Sequence, residues 1–418
     1  MRSRGLVILL VTVLVMGFSM AASAKPIVVG VPTSLYAVMV KDGIKALNLA
    51  VKEINAKGGV RIGGEMRPLK VVIADTRDGE PGVPVHEALM TYEKLIGEEK
   101  PDAILIGAYR SEAMMACLDI AAKYRVPHLT TISLTPEYQK KFATDPNKYK
   151  YCFRPTYDAI PYGNLVTKIL SNLKDNLGLK SVYFLNVDVL WAKGYVAPLI
   201  AHCKKTGWDI IGEEAYAAGA TDFSPALAKA KAGKAQLMVF AWDLPTGVGA
   251  YYRQYVSMRV PALTMGNAQG AMSPKGWELI GPEIEYSIFA DCPLGNSIPL
   301  KNWPLSVKFL DAFKKEYGSL PDAHGTSGNY DAVYILVDAI QRANSVDPDA
   351  LVAALEKTDY KGVTGRMRFD QNHCGIYGED PNEVVSVGTV YQWQKGTRVP
   401  VYPKAFAEGA IQLPPWAK

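Results

Sequence analysis

Polar side chains follow two neighbouring predicted strands at the points where those strands end. Tyr109, Arg110 and Ser111 come just after the apolar run AILI, and Thr131 and Ser133 lie at the end of the next strand. In an open parallel sheet, ligands bind outside the carboxyl ends of the strands. A helix N-terminus with a hydroxyl cap and a nearby cation suits a carboxylate, and we expect Ser111 to cap the following helix. The alternative is an ordinary strand–helix–strand unit with a solvated polar loop.

The elements that must position these side chains alternate between strand and helix. A buried strand at 27–31 opens the pattern, which pauses at the polar segment 137–150 and then resumes as far as Met265. Asp158 is predicted to cap the first helix after the pause, and residues 384–394 are predicted to form a late strand. The alternation is typical of a doubly wound parallel sheet used twice, with a cleft between the two lobes.

The N-terminus has the pattern of a secretory signal peptide. Two arginines precede a largely apolar run at 6–16, and small residues at 22–24 form an A-x-A cleavage site. We therefore expect residues 1–24 to be removed before Lys25, which places the mature, soluble protein in the periplasm. A membrane anchor is the alternative, but the apolar run is short for spanning a bilayer.

Composition and charge exclude some classes of protein. The formal net charge is +5, and removal of Arg2 and Arg4 with the leader leaves +3, so nucleic-acid binding is not expected. Hydrophobic residues at 49% and charged residues at 21% fit a globular rather than a disordered chain. The length after the leader suggests two domains.

The five cysteines do not have metal-site spacing. Cys117 and Cys203 fall within helical patterns and are expected to be buried thiols, whereas Cys152, Cys292 and Cys374 lie in connecting regions. A disulfide between two of the latter three is the alternative, although spacing alone cannot establish it. No CxxC pair and no Cys/His cluster is present, so no metal is expected.

Familiar catalytic motifs are absent from the sequence. There is no GxSxG elbow, no HExxH helix, no P-loop and no Rossmann GxGxxG. We therefore expect neither an enzyme nor a cofactor. A secreted hydrolase with an unfamiliar site is the competing interpretation, because fold and composition do not determine function.

The order of several fragments resembles the leucine/isoleucine/valine-binding family of secreted solute-binding proteins, which feed ABC importers. The fragments are IVVGVPTSLYA, LNLAVKEINAKGG, VVIADTRD, ILIGAYRSEA, YCFRPTYDAIPYG, TDFSPALAKAKAGKAQLMVF and GNYDAVYILVDAI. The resemblance implies a type I periplasmic binding fold: α/β, with two doubly wound parallel-sheet lobes joined by a three-crossover hinge. It implies a first lobe at 25–152 and 293–378, and a second lobe at 153–292 and 379–418.

The resemblance also implies a ligand site at the strand ends of both lobes. In this family a Ser hydroxyl after the ILIG strand binds the ligand carboxylate, and Ser111 matches that position. For the aromatic members of the set, local packing is the alternative. The remaining residues that the resemblance implies are Ser34, Tyr36, Tyr109, Arg110, Thr131 and Ser133 from the first lobe, and Tyr157, Asp188, Trp191, Trp242, Asp243 and Asn267 from the second.

One departure from the family affects the ligand. Amino-acid binders place an acidic residue after the strand that here reads GNAQG, and this stretch contains no acid. A buried ammonium without a carboxylate partner is unfavourable, so either Asp243 or Asp188 replaces the missing acid or the ligand has no amine. The expected ligand is a branched-chain amino acid, with an amine-free aromatic or aliphatic acid, or a sugar, as alternatives.

The expected macromolecular partner is an inner-membrane ABC permease, and the protein is expected to be a monomer. A sensor of the same fold, which presents its ligand to a receptor, is the competing role.

Overall fold

The computed structural model describes residues 25–242, 244–268, 270–322 and 325–417. The predicted signal peptide and Asp243 lie outside these ranges. The strands are β1 (Ile27–Thr33), β2 (Val60–Ile62), β3 (Glu65–Arg67), β4 (Leu69–Asp75), β5 (Ala103–Ile106), β6 (His128–Thr130), β7 (Cys152–Phe153), β8 (Ser181–Val187), β9 (Asp209–Tyr216), β10 (Leu237–Trp242), β11 (Leu263–Ala268), β12 (Ile288–Asp291), β13 (Tyr360–Gly362), β14 (Gly365–Met367), β15 (Tyr377–Gly378), β16 (Val385–Ser386), β17 (Thr389–Gln394) and β18 (Thr397–Tyr402).

Helices separate most of these strands. They are α1 (Val38–Ala56), α2 (Val85–Glu99), α3 (Ser111–Tyr124), α4 (Glu137–Thr144), α5 (Pro146–Tyr149), α6 (Ala159–Leu177), α7 (Leu190–Lys205), α8 (Ser224–Ala232), α9 (Pro245–Ser257), α10 (Gly276–Ile280), α11 (Pro304–Tyr317), α12 (Thr326–Ala343) and α13 (Pro348–Leu355). Within the described residues, none of these helices combines the length and the apolar character needed to cross a membrane.

The first sheet contains five parallel strands in the order β4-β1-β5-β6-β7. Its central strand β5 is buried on both faces, which explains its unbroken apolar run. Ile104 packs on the side of α2 and α3, whereas Leu105 packs on the side of α1 and α12. The carboxyl ends of these strands therefore emerge from a core that is fixed from both sides.

The second sheet follows the same plan, in the order β18-β17-β12-β11-β10-β8-β9. Strands β8 to β12 pair in parallel, and β17 and β18 complete one edge as an antiparallel pair. Val239 packs with residues of α6 and α7, and Phe240 packs with residues of α8 and α9. The predicted α/β class with two parallel-sheet lobes is confirmed.

The chain passes between the two sheets three times: between β7 and α6, after β12, and between β16 and β17. At the first passage Asp158 caps α6, as predicted, by accepting a hydrogen bond from the Ile160 N–H at 2.7 Å. The buried Arg154 guanidinium is 3.1 Å from the same carboxylate. The lobe boundaries at 152/153, 292/293 and 378/379 stay a prediction.

The predicted single strand at 384–394 is wrong, because the chain changes sheet in the middle of it. Strand β16 belongs to a small four-stranded sheet, β13-β14-β16-β15, whereas β17 pairs with β12 in the second sheet. Gly388 lies between them at φ +138°, where a Cβ would be 2.1 Å from the Asp291 carbonyl oxygen. Only glycine allows the two backbones to approach so closely.

Two further details of the fold were not visible in the sequence pattern. The polar segment 137–150 contains α4 and α5, and Tyr138 and Phe142 of α4 are buried. Strands β2 and β3 form a separate antiparallel pair. All five cysteines are buried free thiols, which confirms the prediction for Cys117 and Cys203 and excludes the alternative disulfide.

Candidate functional site

A cavity of about 390 Å³ lies between the strand ends of the two lobes. Its lining is largely apolar, with a small number of polar groups, as is usual for small-molecule sites. The first lobe contributes Met39, Gly79, Glu80, Pro81, Gly82, Val85, Tyr109, Arg110, Ser111, Glu112, Ile132 and Leu134, and the second lobe contributes Val189, Trp191, Ala218, Leu244 and Asn267.

The loop after β5 carries the main polar groups of the cavity. Strand β5 ends in a tight turn in which both Ile106 (φ 71°) and Gly107 (φ 87°) have positive φ. This conformation is strained for a β-branched residue, and such strain is concentrated at functional sites. A Cβ at Gly107 would be 2.9 Å from the Met114 sulfur. The turn directs the following residues toward the second lobe.

The predicted capping role of Ser111 is wrong. Arg110 occupies the N-cap position of α3 without a capping side-chain bond, and Ser111 is the first helical residue. The Ser111 hydroxyl is buried and lies 3.3 Å from the Ser133 hydroxyl. Two hydroxyls therefore lie together at the positive end of the α3 dipole, where an anion is stabilised.

Arg110 provides the cation of this loop. Its backbone N–H donates to Asp78 Oδ2 at 2.7 Å. Its side-chain Nε is buried and has no hydrogen-bond partner among the described residues, which also contain no ion pair of this guanidinium. A buried guanidinium nitrogen without a partner is unfavourable, so this Nε is a donor that an acceptor group of a ligand would satisfy.

The loop after β4 supports the loop after β5. Asp78 is fully buried, and burial raises the pKa of its carboxyl, while the Thr76 hydroxyl and the Arg110 group act in the opposite direction. The Gly79 N–H donates to Ser34 Oγ at 3.1 Å. Ser34, predicted as a ligand residue, thus lies behind Gly79 and holds the segment that lines the cavity.

The second lobe closes the cavity with an aromatic ring and an amide. Trp191 lies in the first turn of α7, and Asn267 is a buried residue near the end of β11. Next to Trp191, the Leu190 N–H donates to Glu112 Oε1 of the first lobe at 3.3 Å. The two lobes therefore meet at the N-termini of α3 and α7.

The structure thus brings Tyr109, Arg110, Ser111, Trp191 and Asn267 together around one cavity. These five are among the residues that the resemblance implied.

Four predicted first-lobe residues are not part of this lining: Ser34 and Ser133, whose contacts are described above, and Tyr36 and Thr131. Tyr36 is 51% exposed. The Thr131 hydroxyl is hydrogen-bonded to the side chain of Asn329 in α12.

The predicted second-lobe residues outside the lining have structural neighbours of their own. Tyr157 is buried with its ring 5.7 Å from that of Tyr162. Asp188 is exposed and pairs with Lys193 at 2.6 Å. Trp242 is fully buried among core aromatic rings. Asp243 falls outside the described residues.

The sequence reasoning did not include several lining residues. The segment 79–82 follows the end of β4, so the strand-end rule that selected Tyr109 could also have selected Glu80. Glu112 lies one residue beyond the predicted set. The apolar residues Met39, Ile132, Leu134 and Leu244 carry no chemical signal that separates them from core residues.

Carboxylates near the cavity already have partners. Arg77 holds Glu80 through two hydrogen bonds of 3.2 and 3.0 Å. Glu112 is exposed and accepts the Leu190 N–H, and Asp78 is enclosed by Thr76 and Arg110. Across the described residues, no group of three His, Cys, Asp or Glu side chains could hold a metal ion.

Comparison with known proteins shows what the chain as a whole is similar to. A family model described as periplasmic binding protein matches residues 28–389. A Leu/Ile/Val-binding protein homologue of Brucella suis is 23% identical over 387 residues, covering 89% of this chain and 90% of the relative.

Two solved structures show the same fold. One is the substrate-binding protein of a branched-chain amino acid transporter from Streptococcus pneumoniae, in complex with isoleucine; it has a TM-score of 0.72 at 23% identity and covers 91% of this chain and 100% of that one. The other is a solute-binding protein of an ABC transporter from R. palustris in complex with benzoate, with a TM-score of 0.72 at 17% identity, covering 92% of this chain and 98% of that one.

Proposed function

Because the chain belongs to the periplasmic binding protein family, we propose that it is the solute-binding component of an ABC importer and takes a small carboxylate into the cavity between its lobes. Membership of that family supports a periplasmic location and delivery of the ligand to a membrane permease. We propose no catalytic reaction for the protein. We also propose that it acts as a monomer.

The observation that carries the carboxylate assignment is the arrangement of Arg110 and Ser111. Arg110, whose buried Nε has no hydrogen-bond partner among the described residues, is the N-cap residue of α3, and the buried Ser111 hydroxyl follows it in the first turn. Both the guanidinium and the helix dipole favour an anion, and the largely apolar lining strengthens that preference by excluding water. A planar carboxylate fits the geometry of a guanidinium.

A branched-chain amino acid is the simplest ligand of this kind. The apolar side chains of Met39, Ile132, Leu134, Val189 and Leu244 suit an aliphatic group. The solved neighbour from Streptococcus pneumoniae holds isoleucine. An amino acid also brings an ammonium, for which Glu112 at the cavity edge and Asp243 are the candidate partners.

An amine-free aromatic or aliphatic acid is the second candidate. It is favoured by the pairing of Glu80 with Arg77 and of Asp188 with Lys193, which leaves these carboxylates engaged. The rings of Tyr109 and Trp191 in the lining suit an aromatic body. The neighbour from R. palustris holds benzoate.

A thermal-shift panel with matched pairs of ligands separates the two candidates. The pairs are L-leucine with 4-methylpentanoate and L-phenylalanine with 3-phenylpropanoate, which differ only by the ammonium, together with L-isoleucine and benzoate. A ligand that binds only the folded protein raises its melting temperature. Stabilisation by the amino acid alone supports the first candidate, and equal or greater stabilisation by the amine-free partner supports the second. Stabilisation by neither, with a sugar active, contradicts the carboxylate assignment.

Mass spectrometry of the compound released from the purified protein provides an independent identification. An unchanged small carboxylate supports the transport role, whereas turnover of the bound compound supports the competing hydrolase. Reconstitution with a permease encoded nearby distinguishes a transport component from a sensor that presents its ligand to a receptor.

A further inference from the structure

Asp78 connects the two loops that form the anion-binding side of the cavity. Its side chain is fully buried, which is rare for an aspartate unless its carboxylate has partners. Oδ1 accepts a hydrogen bond from the Thr76 hydroxyl at 2.6 Å, and Oδ2 accepts one from the Arg110 N–H at 2.7 Å. Asp78 does not line the cavity itself, whereas the residues Gly79 and Arg110 on either side of this contact do.

We infer that Asp78 is a positioning residue of the carboxylate site, which acts on the ligand through Arg110. This inference rests on the proposed function and adds to it the residue that fixes the cation. Asp78 holds the backbone of Arg110 at the N-cap of α3, and its negative charge lies close enough to interact with the Arg110 guanidinium.

The packing around Asp78 leaves little freedom for this contact to move. A Cβ at Gly79 would be 2.7 Å from Ser34 Oγ and 3.2 Å from Tyr109 Cδ1. The loop after β4 therefore packs closely against Ser34, in the loop after β1, and against Tyr109, in the loop after β5. A change at Asp78 therefore reaches Arg110 directly, through the hydrogen bond that joins them, and indirectly, through the close packing of Gly79.

The charge of Asp78 has a role that an amide cannot reproduce. Both of its oxygens accept hydrogen bonds, whereas an asparagine offers one acceptor oxygen and one NH₂ donor. The negative charge of Asp78 also interacts favourably with the Arg110 guanidinium. Asparagine in its place can accept only one of these two hydrogen bonds, and it removes the charge that interacts with the guanidinium.

Asp331 offers a matched control for a purely structural effect. It is a buried aspartate of the first lobe that accepts hydrogen bonds from Val363 N, Thr364 N and Thr364 Oγ1 at 2.8–3.0 Å. It therefore also fixes a loop through its carboxylate, but it is not part of the cavity lining. Asp331→Asn should reduce stability without changing ligand affinity.

The test is a double-mutant cycle by calorimetric titration with L-isoleucine and, separately, benzoate. We expect Asp78→Asn to weaken binding of whichever probe the wild-type protein binds by about tenfold. This is the effect expected from the loss of one hydrogen bond to a charged group. In the Arg110→Ala background the same substitution should cost less than about twofold, because the guanidinium through which Asp78 acts on the ligand is absent there. Asp331→Asn should leave affinity unchanged at a comparable loss of melting temperature.

Other results overturn the inference. An unchanged affinity in Asp78→Asn, or an equal loss in both backgrounds, shows that Asp78 does not act through Arg110. If Arg110→Ala itself leaves affinity unchanged, the carboxylate site fails and the inference fails with it. Should Asp78→Asn not fold, Thr76→Val removes the bond to Oδ1 alone; it should weaken binding about twofold to fivefold in the wild-type background only, and a loss in both backgrounds contradicts the inference.

Discussion

The carboxylate of Glu112 in the first lobe accepts a hydrogen bond from the backbone N–H of Leu190 in the second lobe, with an O···N distance of 3.3 Å. Leu190 is the first residue of α7, so the Glu112 charge lies at the positive end of that helix. This contact joins the lobes beside the cavity and is lost whenever the lobes separate.

We therefore expect Glu112→Ala to favour a more open protein. Ligand affinity should fall about twofold to fivefold, since an exposed hydrogen bond of this kind contributes roughly 0.5–1 kcal/mol. Small-angle scattering without ligand should give a larger radius of gyration than wild type. Glu137→Ala, which removes an exposed acid of α4 paired with Lys140, is the control. Equal radii and equal affinities for Glu112→Ala and wild type would rule out this contact as a closing contact.

Arg110→Ala should weaken ligand binding more strongly than any other single substitution in the first lobe. Loss of a charge-assisted hydrogen bond contributes roughly 1.5–3 kcal/mol, or about tenfold to a hundredfold in affinity. Ser111→Ala should cost about 0.5–1.5 kcal/mol, because its hydroxyl is neutral. Titration calorimetry measures both effects, and Arg61→Ala, at an exposed arginine of the same lobe, is the control. Wild-type affinity in both site variants would remove this loop from the site.

Ligand binding should change tryptophan fluorescence through Trp191. This ring lines the cavity, so a ligand changes its surroundings, whereas Trp242 is enclosed by Phe223 and Phe240. Trp191→Phe should lose most of the ligand-induced change. Trp277→Phe, at a partly buried tryptophan outside the cavity lining, should retain it. A full fluorescence response in Trp191→Phe would contradict the placement of the ligand against α7.

His128 should make the protein less stable as the pH falls. Burial lowers the pKa of this imidazole from 6.5 to about 3 in the folded state. Between these values the unfolded chain binds more protons than the folded protein. The free energy of unfolding therefore decreases as the pH drops below 6.5, by up to about 1.4 kcal/mol per pH unit.

His128→Gln should reduce this slope, even if the substitution lowers stability at every pH. Urea unfolding at about pH 5.5 and about pH 7.5 measures the difference between the two conditions for each protein. His86→Gln, at a histidine with 63% of its side chain exposed, is the control and should keep the wild-type slope. Identical slopes for His128→Gln and wild type would show that His128 does not titrate as its burial implies.

The periodic parts of the fold could be predicted from the sequence because each element has its own pattern. The apolar run at 103–106 is a strand buried on both faces, and the acid at Asp158 caps a helix, as expected. The change of sheet at Gly388 could not be predicted, because it depends on the Asp291 backbone almost a hundred residues earlier. The pattern of neighbouring residues contains no information about a close contact between two backbone segments that are distant in the chain.

A site residue could be predicted from the sequence only where two conditions were met: its side chain carries a polar or charged group, and it follows the end of a predicted strand. Arg110 and Ser111 satisfy both conditions and line the cavity. Trp242 lies at a strand end, but its ring points into the core of the second lobe. It packs so closely against α9 that a Cβ at Gly247 would be 2.3 Å from Trp242 Nε1. The role of Glu112 could not be predicted from the sequence, because its partner is a backbone N–H that almost any residue at position 190 would provide. The structure shows the contact because it places α7 opposite Glu112.

The order of the strands has a consequence for how the chain is made. The first lobe needs α12, which packs on the sheet together with α1, and the second lobe needs β17 and β18, which end at Tyr402. Neither lobe can therefore complete its core until most of the chain has left the ribosome. Contacts between such distant segments form slowly.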